Sequence, residues 1–187
     1  AIILQADLLN LKANPNRSSR GVIIESKLEK GRGSVATVLI QKGCLKVGDI
    51  FVSGSEWGKV KALIDDSGQN IKVALPSMPI EVLGFDSNPL AGDDFVVVDS
   101  EITARKIAEY RFNKKQILKN KALKTNVEEM FEKISAGKAV SLPVIIKADV
   151  QGSAEAIESS IVKLSTDEVK ATVIHKGVGA ITESDVA

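Results

Sequence analysis

The chain has 187 residues, of which 44% are hydrophobic, 26% charged and 4% aromatic, with a formal net charge of +1. These values describe an ordinary globular protein of one or two domains, and they exclude wholesale disorder and an aromatic platform for single-stranded nucleic acid. One cysteine (Cys44), one histidine (His175) and no apolar run near the roughly 18 residues of a membrane span exclude a disulfide framework, a Cys/His metal centre and a transmembrane helix.

The first residue is Ala1 and no basic-apolar leader follows it, so no signal peptide is expected and a piece of a longer protein is. Residues 1–5 have the composition of the tail of a helix. From there to residue 100 the pattern is all-β: short runs rich in Val, Ile and Thr alternate with turn signals about every ten residues, which predicts a sandwich or barrel. Strands are expected over 21–30, 35–41, 50–52, 60–64, 80–85 and 95–98, with Gly31 and Gly33 turning the first hairpin. Residues 101–124 contain no Gly or Pro and predict a polar helix with a sparse apolar stripe at Ile102, Ile107, Leu118 and Leu123. A capping box at Thr125-Asn126-Val127-Glu128 predicts that a second helix starts there, with Val127, Met130, Phe131 and Ile134 on one face and Gly137 as its stop. Residues 142–148 form a continuous apolar run, expected to be a strand buried on both faces. Gly152 is expected to turn the chain into a helix whose apolar face is Ala154, Ile157, Ile161 and Leu164; a strand over 169–174 and turns at Gly177 and Gly179 follow. That order makes a parallel, right-handed βαβ unit. Thr182-Glu183-Ser184-Asp185 reads as a further helix start.

The motif-like clusters carry little chemistry. Gly54 to Lys59 is one residue short of a phosphate loop and lacks its hydroxyl, so a hairpin turn explains it better. Gly177-Val178-Gly179 opens like a dinucleotide fingerprint, but the third glycine is replaced by Thr182. His175, Cys44, Asp149 and Glu155 are each explained by packing or capping, so no catalytic residue and no metal ligand is assigned.

The cations say more. Residues 1–100 carry 11 Lys and Arg against 12 Asp and Glu, 101–138 carry 10 against 5, and 139–187 carry 4 against 7, which isolates a basic block in the middle. Arg17, Arg20, Lys27, Lys30 and Arg32 crowd the first hairpin in sequence. They are expected close together at one barrel rim, either contacting RNA phosphates or guarding a sheet edge by charge. Arg105, Lys106, Arg111, Lys114, Lys115 and Lys119 form a second basic patch whose field would attract RNA or an acidic protein, although a solvated linker explains any single Lys of it better.

The run RGVIIESKLEKGRGSVATVLI over residues 20–40, followed by KGCLKVGD over 42–49, resembles the second domain of translational GTPases. LKANPNR over 11–17, IIKADVQGSAEA over 145–156 and HKGVGAITESDV over 175–186 narrow the resemblance to the bacterial and organellar translation initiation factor two family. The resemblance implies a multidomain β plus α/β organisation: an antiparallel β-barrel over 1–100, a basic helical linker over 101–124 and the first part of an α/β/α domain over 125–187. It implies a parent that binds GTP, holds initiator formyl-methionyl-tRNA on the small ribosomal subunit and promotes subunit joining in the cytoplasm or an organellar matrix. GTP and magnesium then belong to an adjoining GTPase domain outside this region, and the tRNA to a C-terminal domain outside it. No cofactor and no membrane is expected here, and small-subunit rRNA is the expected partner of a non-enzymatic, ribosome-contacting and interdomain-coupling piece. A stand-alone RNA-binding barrel, the barrel of another translational GTPase and a dinucleotide enzyme are the rival readings.

Overall fold

The structure, a computed structural model, describes residues 1–29, 31–135, 140–166 and 169–186, with side chains at those positions except 119–141, 184 and 186. Helix α1 (Ile2–Leu9) comes first and ends on Asn10 in the left-handed conformation. The strands β1 (Arg20–Glu29), β2 (Gly33–Lys42), β3 (Leu45–Lys46), β4 (Ile50–Ser53), β5 (Glu56–Ile64), β6 (Asn70–Ile71), β7 (Val73–Ala74), β8 (Pro79–Phe85) and β9 (Asp94–Val98) follow. Then come α2 (Glu101–Ser135), β10 (Val140–Ala148), α3 (Gln151–Leu164), β11 (Val169–Val178) and α4 (Glu183–Val186).

Strand order β4-β9-β1-β2-β8-β5, with β5 pairing back onto β4, closes six antiparallel strands into a barrel. Closure removes the unpaired edges that an open sheet would expose. β6 extends β5, and β3 and β7 make a separate two-stranded ladder. These three strands are two residues long, too short to leave an alternation in the sequence. The pleat sends Ala36, Val38 and Ile40 of β2 and Ile80 and Val82 of β8 into one core. Phe51, Phe85 and Phe95 join it, with the Phe51 ring centroid 4.6 Å from each of the other two. Between β5 and β8 the register shifts after Gly58, and Gly84 takes φ +120°. A Cβ on Gly84 would lie 1.9 Å from the Lys59 carbonyl oxygen, so only glycine lets the two strands approach closely enough at this bend.

Ser100 caps α2, its hydroxyl accepting the Thr103 N–H at 3.2 Å. The predicted break at Thr125 does not occur: α2 continues through it to Ser135. A capping box can start a helix, but it cannot stop one already running through residues without Gly or Pro. The proposed face of Val127, Met130, Phe131 and Ile134 lies outside the described side chains, and Gly137 lies outside the described residues. The buried face at the start of α2 is Ala104 and Ala108, not the predicted stripe; Ile102 and Leu118 are exposed.

β10 and β11 are parallel neighbours joined through α3, the predicted βαβ unit. Two glycines differ from expectation. Gly152 does not turn the chain: it is the second residue of α3, and the change of direction falls at Asp149-Val150, where Val150 takes the extended N-cap conformation. Gly177 lies inside β11, where a Cβ would sit 3.3 Å from both Lys147 Nζ and His175 Nε2; its smallness makes room for side chains and does not bend the strand. The turn belongs to Gly179, at φ +111°. Val150 forms an antiparallel bridge to Lys27 of β1, and the Gly179 turn approaches Leu28.

Candidate nucleic-acid interface

The β1–β2 hairpin decides where the first cations go. From Glu29 opposite Gly33, the register runs back through irregularities at Ile23/Glu25 and at Arg20/Gly21 to Arg20 opposite Lys42. Arg20 also faces Val96 of β9, so it stands at the end of β1 far from the turn. The segment before β1 is tied to the same end. The Gly43 N–H donates to the Asn14 carbonyl at 2.9 Å, and Ser18 bridges to Cys44. Gly43 adopts φ +72°, and a Cβ there would lie 2.4 Å from the Arg17 carbonyl oxygen. This glycine therefore seats Arg17 beside Lys42. Arg17, Arg20 and Lys42 are exposed, and none forms an ion pair among the described residues.

The remaining hairpin cations are elsewhere. Seven residues of strand separate Arg20 from Lys27, about 23 Å at roughly 3.3 Å per residue. Lys27 Nζ lies 2.8 Å from Glu29 Oε1 and 2.7 Å from Glu81 Oε1. Those two carboxylates, Glu29 first, raise the Lys27 pKa above its usual value, and Lys27 in turn lowers that of Glu29. Arg32 Nη1 lies 3.3 Å from Glu29 Oε2. Gly31 and Gly33 take φ +83° and +79° around it. The expected single rim of five cations is thus two groups at opposite ends of β1: Arg17 and Arg20, unneutralised, and Lys27 and Arg32, bound to carboxylates. Residues close in sequence are parted here because an extended strand moves them apart. Lys30 lies outside the described residues.

The second basic patch is also divided. The Arg105 guanidinium sits over the Trp57 ring, 4.7 Å from its centroid, and pairs with Glu101 at 2.6 Å. Arg111 Nη1 donates to the Gly54 carbonyl at 3.0 Å. Both dock α2 on the β4–β5 hairpin next to buried Ala104 and Ala108. Lys106, Lys114 and Lys115 face solvent, and the Lys119 side chain lies outside the described set.

A third polar cluster surrounds α4. Asp185 Oδ2 accepts the Thr182 N–H and hydroxyl, each at 2.7 Å, while Oδ1 lies 2.9 Å from Lys147 Nζ and 4.0 Å from His175 Nε2. Lys147, and then Thr182, hold the Asp185 pKa down at about 2. The Asp185 carboxylate thus reaches back to the Thr182 N–H as in a capping box, and Lys147 of β10 reinforces it. Among the described residues no three His, Cys, Asp or Glu are placed to hold a metal ion, and no helix is long and apolar enough to cross a membrane.

Sequence reasoning missed Lys42, Gly43 and Trp57. The first two were accessible by counting the hairpin register outward from Gly33 to its far end. Trp57 left no signal, since nothing local announces a helix that returns to cover it.

Comparison with known proteins divides the chain at α2. The profile of elongation factor G domain 2 matches residues 18–98, and that of translation-initiation factor 2 matches residues 116–187. Translation initiation factor IF-2 of Rhodospirillum rubrum is 57% identical over 187 residues, covering 100% of this chain and 22% of that protein. IF-2 of Caldicellulosiruptor saccharolyticus is 58% identical over 185 residues, covering 99% of this chain and 22% of that protein. The chain thus spans about a fifth of the length of these curated relatives. GDP-bound aIF5B from Aeropyrum pernix aligns with all of the chain and 30% of its own length, at 21% identity and a TM-score of 0.48.

Proposed function

This chain belongs to the translation initiation factor 2 family, and from that premise we propose that it is the factor's ribosome-contacting and interdomain-coupling region. The parent's chemistry, GTP binding with magnesium and placement of initiator tRNA on the small subunit, then belongs to neighbouring domains. Translation takes place in the cytoplasm or an organellar matrix, which sets the compartment. Within the chain, Arg17, Arg20 and Lys42 meet phosphates of small-subunit rRNA, and α2 carries the barrel's position to the βαβ unit.

The observation that carries this reading is the charge state of the two barrel ends. A cation held by carboxylates has little net field left for a polyanion, whereas three exposed, unpaired cations on a rigid hairpin end do. Such contacts fix register and orientation without reading sequence, as a surface docked on structured rRNA requires.

Cys44, the one cysteine, offers a test at this end of the barrel. An iron chelate attached to its thiol should cleave small-subunit rRNA backbone near the docking site when the chain is bound. Cleavage no different from that by free chelate would contradict the assignment of this face.

A further inference from the structure

Helix α2 meets the barrel along one side only. Ala104 and Ala108 are buried there, and Arg111 reaches the Gly54 carbonyl from the same side. At roughly 100° per residue, Lys106, Tyr110 and Lys114 form an i, i+4, i+8 row turned away from that side, with Ile102, Asn113 and Ile117 beside it. All six are exposed. Lys106 and Lys114 form no ion pair among the described residues. Neither acid of this stretch lies in the row: Glu101 is held by Arg105, and Glu109 falls on its flank.

The start of α2 is fixed relative to the barrel cations. β9 pairs Val96 with Arg20 and Val98 with Ile50, so the chain leaves β9 at the end that carries Arg20, and α2 begins there at Glu101. The helix then runs along β4 to Gly54, in the turn at the opposite end of β4 from Ile50. Lys106 stands five residues, about 8 Å, into the helix from the Arg20 end.

The composition of the row favours a polyanion over an apolar groove. Ile102 and Ile117 are fifteen residues apart, about 22 Å along the axis, too far to make one apolar patch. Between them stand two unpaired ammonium groups about 12 Å apart, with a phenol midway. Lys meets phosphate oxygens as a point charge, and a Tyr hydroxyl donates to phosphate or sugar. A straight row of such donors suits a nucleic-acid backbone, which presents its anions as a regular series.

We propose that the outer face of α2 is a second RNA contact, in which Lys106 and Lys114 hold phosphates of an rRNA helix and Tyr110 donates to the backbone between them. The proposal rests on the reading of the barrel as seated on small-subunit rRNA, and it gives α2 a binding role besides joining the barrel to the βαβ unit.

The test uses the full chain and isolated small ribosomal subunits. Cys44→Ser removes the thiol on the barrel, and Asn113→Cys supplies one beside the row. An iron chelate attached at position 113 should cleave rRNA at a site separate from that reached from Cys44. Lys106→Glu with Lys114→Glu should weaken subunit binding about 5- to 20-fold and lower the slope of log K against log salt by about 1 to 2. Tyr110→Phe should weaken binding about 2- to 5-fold with the slope unchanged, because the lost hydroxyl is uncharged. If the charge reversal frays the helix, the neutral, helix-compatible pair Lys106→Gln, Lys114→Gln must still lower the slope. An unchanged affinity and slope in both double variants would overturn the proposal. Weaker binding in them with no rRNA cleavage from position 113 would overturn it in favour of an acidic protein of the subunit. Binding that survives the α2 variants but is lost on reversing Arg17 and Arg20 would refute the α2 contact alone; binding that survives both would refute the RNA-facing barrel as well.

Discussion

Phe51 illustrates how much of the barrel depends on single residues. Its ring meets Phe85 edge-on and stacks with Phe95, so it links β4 to β8 and β9 inside the core. Removing a buried phenyl ring loses its transfer free energy and leaves a cavity, which together cost about 3–5 kcal/mol. Phe51→Ala should therefore lower the denaturation free energy by that amount, as read from urea unfolding. Asp185 makes a smaller, pH-dependent contribution. Its pKa is lowered from 3.8 to about 2 by Lys147 and Thr182. Stability linked to a lowered carboxyl pKa is complete above the unfolded value and disappears as pH falls through the folded one. The contribution of the α4 cap is thus constant above pH 3.8 and is lost toward pH 2. Lys147→Met should move the Asp185 titration, followed by carboxyl carbon NMR, up toward the unperturbed value; an unmoved titration would deny Lys147 its role.

At the scale of elements, α2 is the informative case. Its first turns are fastened to the barrel by small residues, Ala104 and Ala108, and by two arginines that reach Trp57 and Gly54. The cation–π contact contributes about 0.5–1 kcal/mol at an exposed site. Trp57 is the only tryptophan, so its emission reports docking directly. Arg105→Ala should shift that emission to the red and open the ring to quenchers, and an unchanged spectrum would mean that the helix does not rest on Trp57. This docking was illegible in the sequence because hydrophobic periodicity weighs large residues and Ala104 and Ala108 are small. Periodicity worked where bulky residues alternate, in the β1–β2 hairpin; the apolar run over β10 marked a strand, but not one buried on both faces, since Leu142 and Ile145 are exposed and among its described side chains Ile146 alone is buried. Periodicity failed for the two-residue strands, and local turn chemistry misplaced the bends at Gly152 and Gly177. Gly152 lies within a helix start and the bend falls two residues earlier; Gly177 makes room for Lys147 and His175, and of the two turns expected at Gly177 and Gly179 only the second forms. The capping box at Thr125 failed for a related reason, since a local start signal does not interrupt a helix that already has its hydrogen bonds.

For the whole molecule, the barrel end that carries Arg17, Arg20 and Lys42 is separated by the length of β1 from the end that meets Val150 and the Gly179 turn. This separation places the proposed rRNA contact and the βαβ contact on opposite ends of one rigid strand pair, so a barrel seated on RNA also fixes where its far end presents Val150. The candidate site was half legible for the same geometric reason. The cations could be found by residue type, but dividing them into free and neutralised groups required the register and the positions of Glu29 and Glu81. The most direct test of the RNA-facing barrel end is the salt dependence of small-subunit binding, measured for the unaltered chain and for the Arg17→Glu, Arg20→Glu double variant. Each lost phosphate contact should reduce the slope of log K against log salt by roughly 0.7 to 0.9. For the double variant, binding should weaken with a slope shallower by about 1 to 2 and the barrel should stay intact by circular dichroism, while Lys27→Ala, whose ammonium is already paired, should show no such change. Affinity and slope of the double variant equal to those of the unaltered chain would contradict the RNA-facing assignment.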